Sequence, residues 1–286
     1  MTLLAAGKVN YRARIERALH LAAIHESARE VLSFYGSIAK FQREYYESLP
    51  KLWGKKPVAP AGGDLRSELN LGVLLEAFAE LLKIVEGQAP GALAEASRNL
   101  RSKGCVRQGE ILQEFWKTGL LEANLPDDEV HRDSAGNPLA DFLARAMLQP
   151  YADFISGAML PPVPVMTVCR CPRCNALPLL GVLRPEGDGG KRFLMCSFCS
   201  LEWEFRRILC ANCAEEQEQK LPIYVAEQLP HIRMECCETC KHFLRTIDLT
   251  KDGHAVPLVD DLAAIPLSLW AEEHGYKRIQ GNLLWT

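Results

Sequence analysis

The sequence predicts a multidomain α+β protein: an all-α N-terminal domain, two tandem ribbon-like metal modules with four cysteines each, and a C-terminal helix. Three observations predict this arrangement. Apolar residues recur at helical spacing through the first half, a proline-rich segment follows at 160–164, and four Cys-x-x-Cys pairs then occur between Cys169 and Cys240. We therefore expect a helical domain over 1–159, a linker over 160–168, modules over 169–206 and 207–247, and a helical tail over 248–286.

The helical domain should contain five or six helices. Residues from about 10 to 48 are predicted as one long helix, or as two in line, because apolar side chains such as Ile15 and Leu19 share one face. Prolines and glycines predict a loop over Pro50–Gly63. Cys105 stands alone and is expected to be a buried thiol. Further helices are predicted over Leu69–Val85, Leu93–Leu100, Val106–Leu120 and, after a polar loop at Asn124–Gly136, over Leu139–Gln149.

Proline and asparagine positions predict the ends of the last helix in this domain. Asn137 should cap it with Pro138 in the first turn, and Pro150 should kink or end it. Beyond the linker, short runs of apolar residues replace the helical pattern and predict strands. These runs are Leu177–Leu183, Arg192–Met195, Leu201–Leu209, Leu221–Val225 and His231–Met234.

The tail returns to a helical pattern. Leu262–His274 is predicted as a helix with Gly275 at its C-terminal end, and Pro266 should either kink this helix or mark its true start. Asp260 and Asp261 precede the helix and invite a catalytic interpretation. We favour the simpler interpretation, in which two carboxylates are stabilised near a helix N-terminus.

The four Cys-x-x-Cys pairs are the strongest functional signal in the chain. The first pairs of the two halves start 39 residues apart and the second pairs 41 apart, which indicates duplication of one small metal-binding unit. Sequential and cross-braced sites can both be built, and the turn at Pro185–Gly190 favours sequential sites because it allows a hairpin. The predicted metal ligands are Cys171, Cys174, Cys196 and Cys199 in one site and Cys210, Cys213, Cys237 and Cys240 in the other.

The chemistry of four thiolates limits what such sites can do. Zinc and a single iron ion are accommodated equally well. A site ligated only by cysteine leaves no position for water or substrate, so it is structural or transfers electrons and is not hydrolytic. Cys169 and Cys236 lie beside the pairs as alternative ligands or reactive thiols. We expect neither to be an obligatory ligand.

Composition excludes several classes of protein. The 286 residues carry a net charge of −3, no apolar run approaches the length that spans a bilayer, and the N-terminus lacks the apolar core of a signal peptide, so a cytoplasmic location is predicted. Thiols stay reduced there, which favours metal ligation over disulfides. Between Cys169 and Ile247, 11 Lys and Arg face 10 Asp and Glu, so nucleic acid is not the expected partner. Phosphate-binding glycine loops, G-x-S-x-G and H-E-x-x-H are absent.

Several motifs, in a fixed order, carry a resemblance to a known family. The metal-binding part holds Cys171-Pro-Arg-Cys174, Cys196-Ser-Phe-Cys199, Cys210-Ala-Asn-Cys213 and Cys237-Glu-Thr-Cys240. The helical domain contributes Phe142–Tyr151, and the tail contributes Lys251-Asp252, Val259–Ile265 and Glu273–Tyr276. Over roughly residues 12–285 the chain resembles the formate dehydrogenase accessory protein (FdhE) family of bacteria. Three departures stand out: Asn175 replaces the usual glycine after a cysteine pair, Thr250 replaces an acidic residue before Lys251, and the family pattern does not include Cys169 and Cys236.

The resemblance implies a fold and a role. It implies a helical N-terminal region with paired rubredoxin-like modules, two metal ions each bound by four cysteines with iron favoured over zinc, and a cytoplasmic location. It further implies a non-enzymatic assembly factor, which binds the catalytic subunit of respiratory formate dehydrogenase before export. A rubredoxin-like electron-transfer protein and a zinc-ribbon nucleic-acid-binding protein are the alternatives. The oligomeric state stays open, a homo-oligomer included.

Overall fold

The computed structural model describes residues 9–53, 63–67, 69–119, 137–159, 165–187 and 189–284. Its first half is helical, as predicted. A turn at His25 separates the first two helices, because this residue has extended backbone angles, and the helices then pack against each other. The prediction of one long helix or two in line is therefore wrong. The helices of this half are α1 (Tyr11–Ile24), α2 (Arg29–Trp53), α3 (Leu71–Gln88), α4 (Gly91–Ser102), α5 (Gly104–Thr118) and α6 (Pro138–Ala158).

Helix α6 is the central element of the helical half. Its N-terminus is capped as predicted, since the Asn137 side chain accepts a hydrogen bond of 3.0 Å from the Leu139 backbone N–H. The helix continues through Pro150, so of the two predicted outcomes, a kink or an end, the end is wrong; the helix is buried from Phe142 to Ser156. A fully buried aliphatic side chain such as Ile155 contributes roughly 1.5–3 kcal/mol of transfer free energy. That burial offsets the lost backbone hydrogen bond at the proline.

Two other expectations for the helical half are corrected. Pro50 and Lys51 lie inside α2, which runs to Trp53, so the predicted loop begins later than expected. Cys105 is exposed on α5 instead of buried, because it projects from the outer face of the helix. The predicted loop at Asn124–Gly136 and the prolines at 161–164 lie outside the described residues.

The second half forms one continuous sheet. Its strands are β1 (Pro178–Glu186), β2 (Gly189–Cys196), β3 (Glu202–Glu204), β4 (Ile223–Val225), β5 (Ile232–Cys236), β6 (His242–Asp248) and β7 (Lys277–Arg278). The order is β3-β2-β1-β6-β5-β4, and β7 pairs with β6. Strands β1 and β2 form one antiparallel hairpin and β5 and β6 another.

A parallel pairing of β1 with β6 joins the two hairpins. Gly181 lies opposite Thr246 in this pairing. A Cβ atom at Gly181 would lie 2.2 Å from the Thr246 Oγ1 atom, so no larger residue fits here without displacing its neighbour. The two predicted ribbons therefore share a single sheet.

The strand predictions fail at two places. Leu201–Leu209 forms only the three residues of β3, because the chain then turns so that the Phe205 and Arg206 N–H groups bind the Arg192 and Met166 carbonyls. The central strand β6 was not predicted. It is buried along almost its whole length and so lacks the alternating pattern of a half-buried strand.

The tail contains two short helices, α7 (Pro257–Ala263) and α8 (Ile265–Glu273), where one was predicted. Pro266 lies in the first turn of α8, which agrees with its predicted role as a helix start. Gly275 follows α8 with a positive φ of 80°, as expected for a glycine that ends a helix. Helix α7 packs against α1 and α2, so the tail contacts the first two helices of the helical half. Within the described ranges, none of the helices is both long enough and apolar enough to cross a bilayer.

Candidate metal centres

Each Cys-x-x-Cys pair adopts the same tight turn. In all four, the N–H of the first cysteine donates to the carbonyl five residues later, at distances of 2.9 Å. The residue after the second cysteine has a left-handed conformation in every turn, at Asn175, Ser200, Ala214 and Lys241. None of these residues is glycine, and Asn175 takes the conformation expected of it. The shared geometry points both sulfur atoms of each turn to one side.

The turns meet in two clusters of four cysteines. The first four-cysteine site contains Cys171, Cys174, Cys196 and Cys199, and the second contains Cys210, Cys213, Cys237 and Cys240. The sites are therefore sequential, as predicted, and the cross-braced alternative is wrong.

The distances between sulfur atoms fit a tetrahedral metal site. In the first site they include 3.6 Å for Cys171–Cys199 and 3.4 Å for Cys174–Cys196. In the second site, Cys210–Cys240 is 3.8 Å and Cys213–Cys237 is 3.7 Å. Four metal–sulfur bonds of about 2.3 Å in a tetrahedron place the sulfur atoms about 3.8 Å apart. A disulfide would require about 2.05 Å. Each cluster can thus hold one four-coordinate ion such as zinc or iron.

The thiols need a cation to become thiolates together. Burial raises the pKa values of Cys171 and Cys174 well above the usual value for cysteine. Burial also raises the pKa of Cys213, to about 11. A bound ion must therefore displace protons from these sulfurs, which makes metal affinity fall as the solution becomes more acidic.

Backbone N–H groups stabilise one sulfur in each site. Cys196 Sγ accepts from the N–H groups of Phe198 at 3.3 Å and Cys199 at 3.5 Å. Cys210 Sγ accepts from the corresponding Asn212 at 3.4 Å and Cys213 at 3.5 Å. Hydrogen bonds to a ligand sulfur delocalise its negative charge, which lowers its basicity and adjusts the potential of a bound iron.

Cys169 and Cys236 lie outside both clusters. The Cys169 Sγ is 3.6 Å from the Cys210 carbonyl, and Cys236 is buried in β5 beside Cys237. Both residues therefore lie next to the second site without belonging to its cluster.

The two aspartates of the tail differ in position from the prediction. They lie inside α7 and not before it, and both are buried in ion pairs. Asp260 binds Arg17 of α1 and His231, while Asp261 lies between Arg245 and Arg278. Asp260 Oδ2 also accepts the Val256 N–H at the start of α7, so the helix-terminus interpretation was correct for this residue.

A third group of potential metal ligands consists of His231, Asp252 and Asp260. The Arg17 guanidinium donates to both carboxylates, at 2.9 Å to Asp252 and 3.0 Å to Asp260. It already supplies the positive charge that a metal ion would bring. The group therefore serves as an ion-pair network that joins α1 to the tail.

Arg145 joins the two halves of the molecule and was not predicted to do so. It is 2% exposed on α6 and donates to the carbonyls of Gly281, Asn282 and Ser197 at 2.8–2.9 Å. Ser197 belongs to the second cysteine turn. The one available signal was the charged residue itself, in an otherwise apolar stretch of helix.

The part of the chain that contains both four-cysteine sites matches two models of one protein family. Residues 170–207 match the family model described as FdhE, central domain, and residues 208–285 match FdhE, C-terminal domain. A curated protein FdhE homolog from Aquifex aeolicus is 35% identical over 115 residues, which cover 40% of this chain and 41% of that protein. Another, from Pectobacterium carotovorum, is 27% identical over 280 residues, or 95% of this chain and 86% of that protein.

A solved structure shares the overall fold. The crystal structure of the FdhE protein from Pseudomonas aeruginosa superposes with a TM-score of 0.68 at 24% identity, covering 96% of this chain and 95% of that chain. A curated FdhE homolog from the same organism is 36% identical over 119 residues. Against this protein and the one from Aquifex aeolicus, the match spans only 38% and 41% of the relative's length.

Proposed function

We propose that this chain, whose residues 170–285 match the central and C-terminal FdhE family models, is a non-enzymatic accessory factor for the maturation of respiratory formate dehydrogenase. In this proposal it binds the catalytic subunit of that enzyme in the cytoplasm before export. Each four-cysteine site holds one metal ion, iron by preference and zinc as the alternative. The four cysteines of each cluster are the ligands of its ion. The helical half over 1–159 and the two modules over 169–206 and 207–247 act as one binding body.

The donor set of the two sites is the observation that carries this proposal. Four sulfur ligands complete a tetrahedral ion and leave no position for a substrate or a reactive water. The ion instead fixes the turns that hold a shaped surface. A role in holding another protein follows from this chemistry more directly than a role in catalysis.

An apolar surface near the second site is the proposed contact for the catalytic subunit. Ile223 and Val225 on β4 are 55% and 48% exposed, and Leu269 on α8 is 56% exposed. Tyr224 lies against Trp270 of α8, with ring centroids 4.7 Å apart, which makes the strand and the helix one surface. Among the described residues, strand β4 pairs only with β5 and ends the sheet order, so its outer edge is proposed to accept a partner strand.

Formate dehydrogenase activity in a strain lacking this gene tests the proposal, with the abundance of the catalytic subunit followed alongside. We expect activity to be lost while the subunit is still present. Wild-type protein should restore activity, and Cys171→Ala and Cys210→Ala variants, each lacking one metal ion, should not. Unchanged activity in the deletion strain under respiratory conditions contradicts the proposed role.

Binding of the subunit tests the apolar surface separately. A Leu269→Glu variant should fold and keep both metal ions but retain less catalytic subunit in a pull-down. Val106→Glu is the matched control, because Val106 is 79% exposed on α5 in the helical half. Equal retention by the two variants refutes the proposed contact.

Electron transfer is the second candidate, favoured by the N–H groups that donate to Cys196 and Cys210. Hydrogen bonds of this kind help to set the reduction potential of an iron site with sulfur ligands. Anaerobically purified protein that is red and shows a reversible visible band would support this role, whereas colourless zinc protein would oppose it.

A further inference from the structure

The two four-cysteine sites share their local geometry but differ in their surroundings. Both have the same turns and the same pairs of N–H donors to sulfur. The cysteines of the first site are at most 3% exposed. In the second site Cys213 is exposed and Cys240 is half-buried. Any difference in metal binding between the two sites must therefore come from the residues that cover each site.

Aromatic packing attaches the first site to the helical half. Phe198, within the second cysteine turn, is fully buried against Phe115 and Trp116 of α5, with ring centroids 6.0 and 5.5 Å away. Arg66 lies over the same ring, 5.1 Å from its centroid. To open this turn, the protein would have to separate the sheet from α5.

Arginines surround the first site as well. Arg66 donates to the Cys174 carbonyl at 2.9 Å, and Arg145 donates to the Ser197 carbonyl at 2.9 Å. Arg173 stands between the two cysteines of the first turn, is 3% exposed, and donates to Ser156 of α6 at 2.8 Å. Arg14 of α1 reaches Ser200 at 3.1 Å. A divalent ion with four thiolates carries a net charge of −2, which is costly to bury unless cations lie nearby.

Short polar contacts within the sheet and tail surround the second site instead. Thr239 donates to the Glu215 carboxylate at 2.6 Å and so connects its two turns. The Lys241 N–H donates to the Cys237 carbonyl of its own turn at 2.9 Å. Glu238 pairs with Lys241 at the surface. Water and small solutes can reach the sulfur of Cys213 without any rearrangement of the helical half.

We propose that the second four-cysteine site exchanges its metal ion with solution, whereas the first four-cysteine site retains its ion as part of the folded core. This inference rests on the proposed metal ligation of both sites. Exchange proceeds by ligand substitution: an incoming nitrogen or sulfur donor binds the ion, the bond to Cys213 breaks, and the released thiolate takes a proton from solution. The site thus accepts divalent metal from, or yields it to, small chelators and thiol-bearing carriers.

Metal release from the full chain loaded with two equivalents of zinc tests this inference. Excess 4-(2-pyridylazo)resorcinol, a coloured chelator, should remove one equivalent at least about tenfold faster than the other, because release from the first site requires local opening of the core. Cys213→Ser should abolish the fast equivalent and leave the slow one. Cys105→Ser, at an exposed cysteine outside both sites, should leave both unchanged.

Alkylation of the unmodified protein gives a second readout that requires no variant. With zinc bound, iodoacetamide should modify Cys213 and Cys240 before any cysteine of the first site, as followed by peptide mass spectrometry. Release of both equivalents at one rate, or loss of the slow equivalent in Cys213→Ser, overturns the inference while leaving metal ligation intact. A chain that binds no zinc or iron refutes both the inference and the ligation on which it rests.

Discussion

Replacement of Asp261 by asparagine should be one of the most destabilising single changes in the tail. The carboxylate is fully buried and lies 2.8 Å from Arg245 Nε, which is buried too, and 2.7 Å from Arg278 Nη2. It also accepts from Asn282 Nδ2 at 2.9 Å. Although burial disfavours its charged form, the two arginines hold the pKa of Asp261 below the usual carboxyl range. The group is therefore ionised at neutral pH and balances two cations.

The size of the effect follows from those two cations. Breaking a buried ion pair typically costs about 3–5 kcal/mol, because the remaining charge stays desolvated. Asparagine keeps the shape and one acceptor, so we expect a loss of about 3 kcal/mol in the free energy of unfolding. This corresponds to a decrease of roughly 6–12 °C in melting temperature. The size of this stabilisation also depends on pH: it is present above the ordinary carboxyl pKa and is lost as pH falls through the lowered pKa of Asp261.

Thermal unfolding of the metal-loaded protein at pH 7, followed by circular dichroism, measures this loss. Glu110→Gln is the control, because it removes the same charge from an exposed pair with Arg107. Such surface pairs contribute about 0–1 kcal/mol. If Asp261→Asn melts within about 2 °C of this control, the buried charge of Asp261 does not stabilise the tail as expected.

Three further changes test other parts of the structure. Gly181→Ala should lower the melting temperature, because the added Cβ meets Thr246 across the β1–β6 pairing. Ala214→Gly should raise stability by roughly 1 kcal/mol and slow metal loss from the second site, because Ala214 has a φ of 59° that glycine adopts without strain. Burial raises the pKa of Asp141 to about 6, so its contribution to stability should fall as pH rises from about 4 to about 6.

Each of these three predictions has its own control measurement. Gly189→Ala, at a glycine with open space around it, should leave the melting temperature unchanged. Ala94→Gly, inside α4, should destabilise by up to about 1 kcal/mol where Ala214→Gly stabilises. Asp141→Asn should gain stability relative to wild type across that pH window, and a difference that is constant with pH contradicts the raised pKa.

Cysteine spacing predicted the two sites because their geometry is local. Each turn is closed by hydrogen bonds within six residues, so the pattern Cys-x-x-Cys and a following residue that tolerates positive φ contain almost all of the necessary information. The pairing of turns was predictable too, since the hairpin of β1 and β2 brings Cys174 and Cys196 together across one short connection.

What the sequence did not predict depends on contacts between distant residues. The exposure of Cys105 depends on which face of α5 meets the core, and one helix alone does not determine this. Strand β6 is buried by elements on both sides, so it carries no periodic signal. In the sequence, Arg145 and Asp261 do not differ from other charged residues. Their roles depend on the fold, which brings the Ser197 carbonyl to Arg145 and the Arg245 guanidinium to Asp261.

The contact between Arg17 and Asp260 has a consequence for the order in which the chain can fold. These residues are separated by 243 positions, so Arg17 of α1, which is synthesised before α7, gains this partner only after α7 has been made. The β1–β6 pairing is delayed in the same way, because β1 meets a strand synthesised much later. Contacts so distant in sequence slow folding and expose unpaired surfaces meanwhile. A nascent chain that stops before residue 257 lacks α7 and leaves Arg17 without this partner, so the packing of α7 on α1 can form only after residues 257–263 have been synthesised.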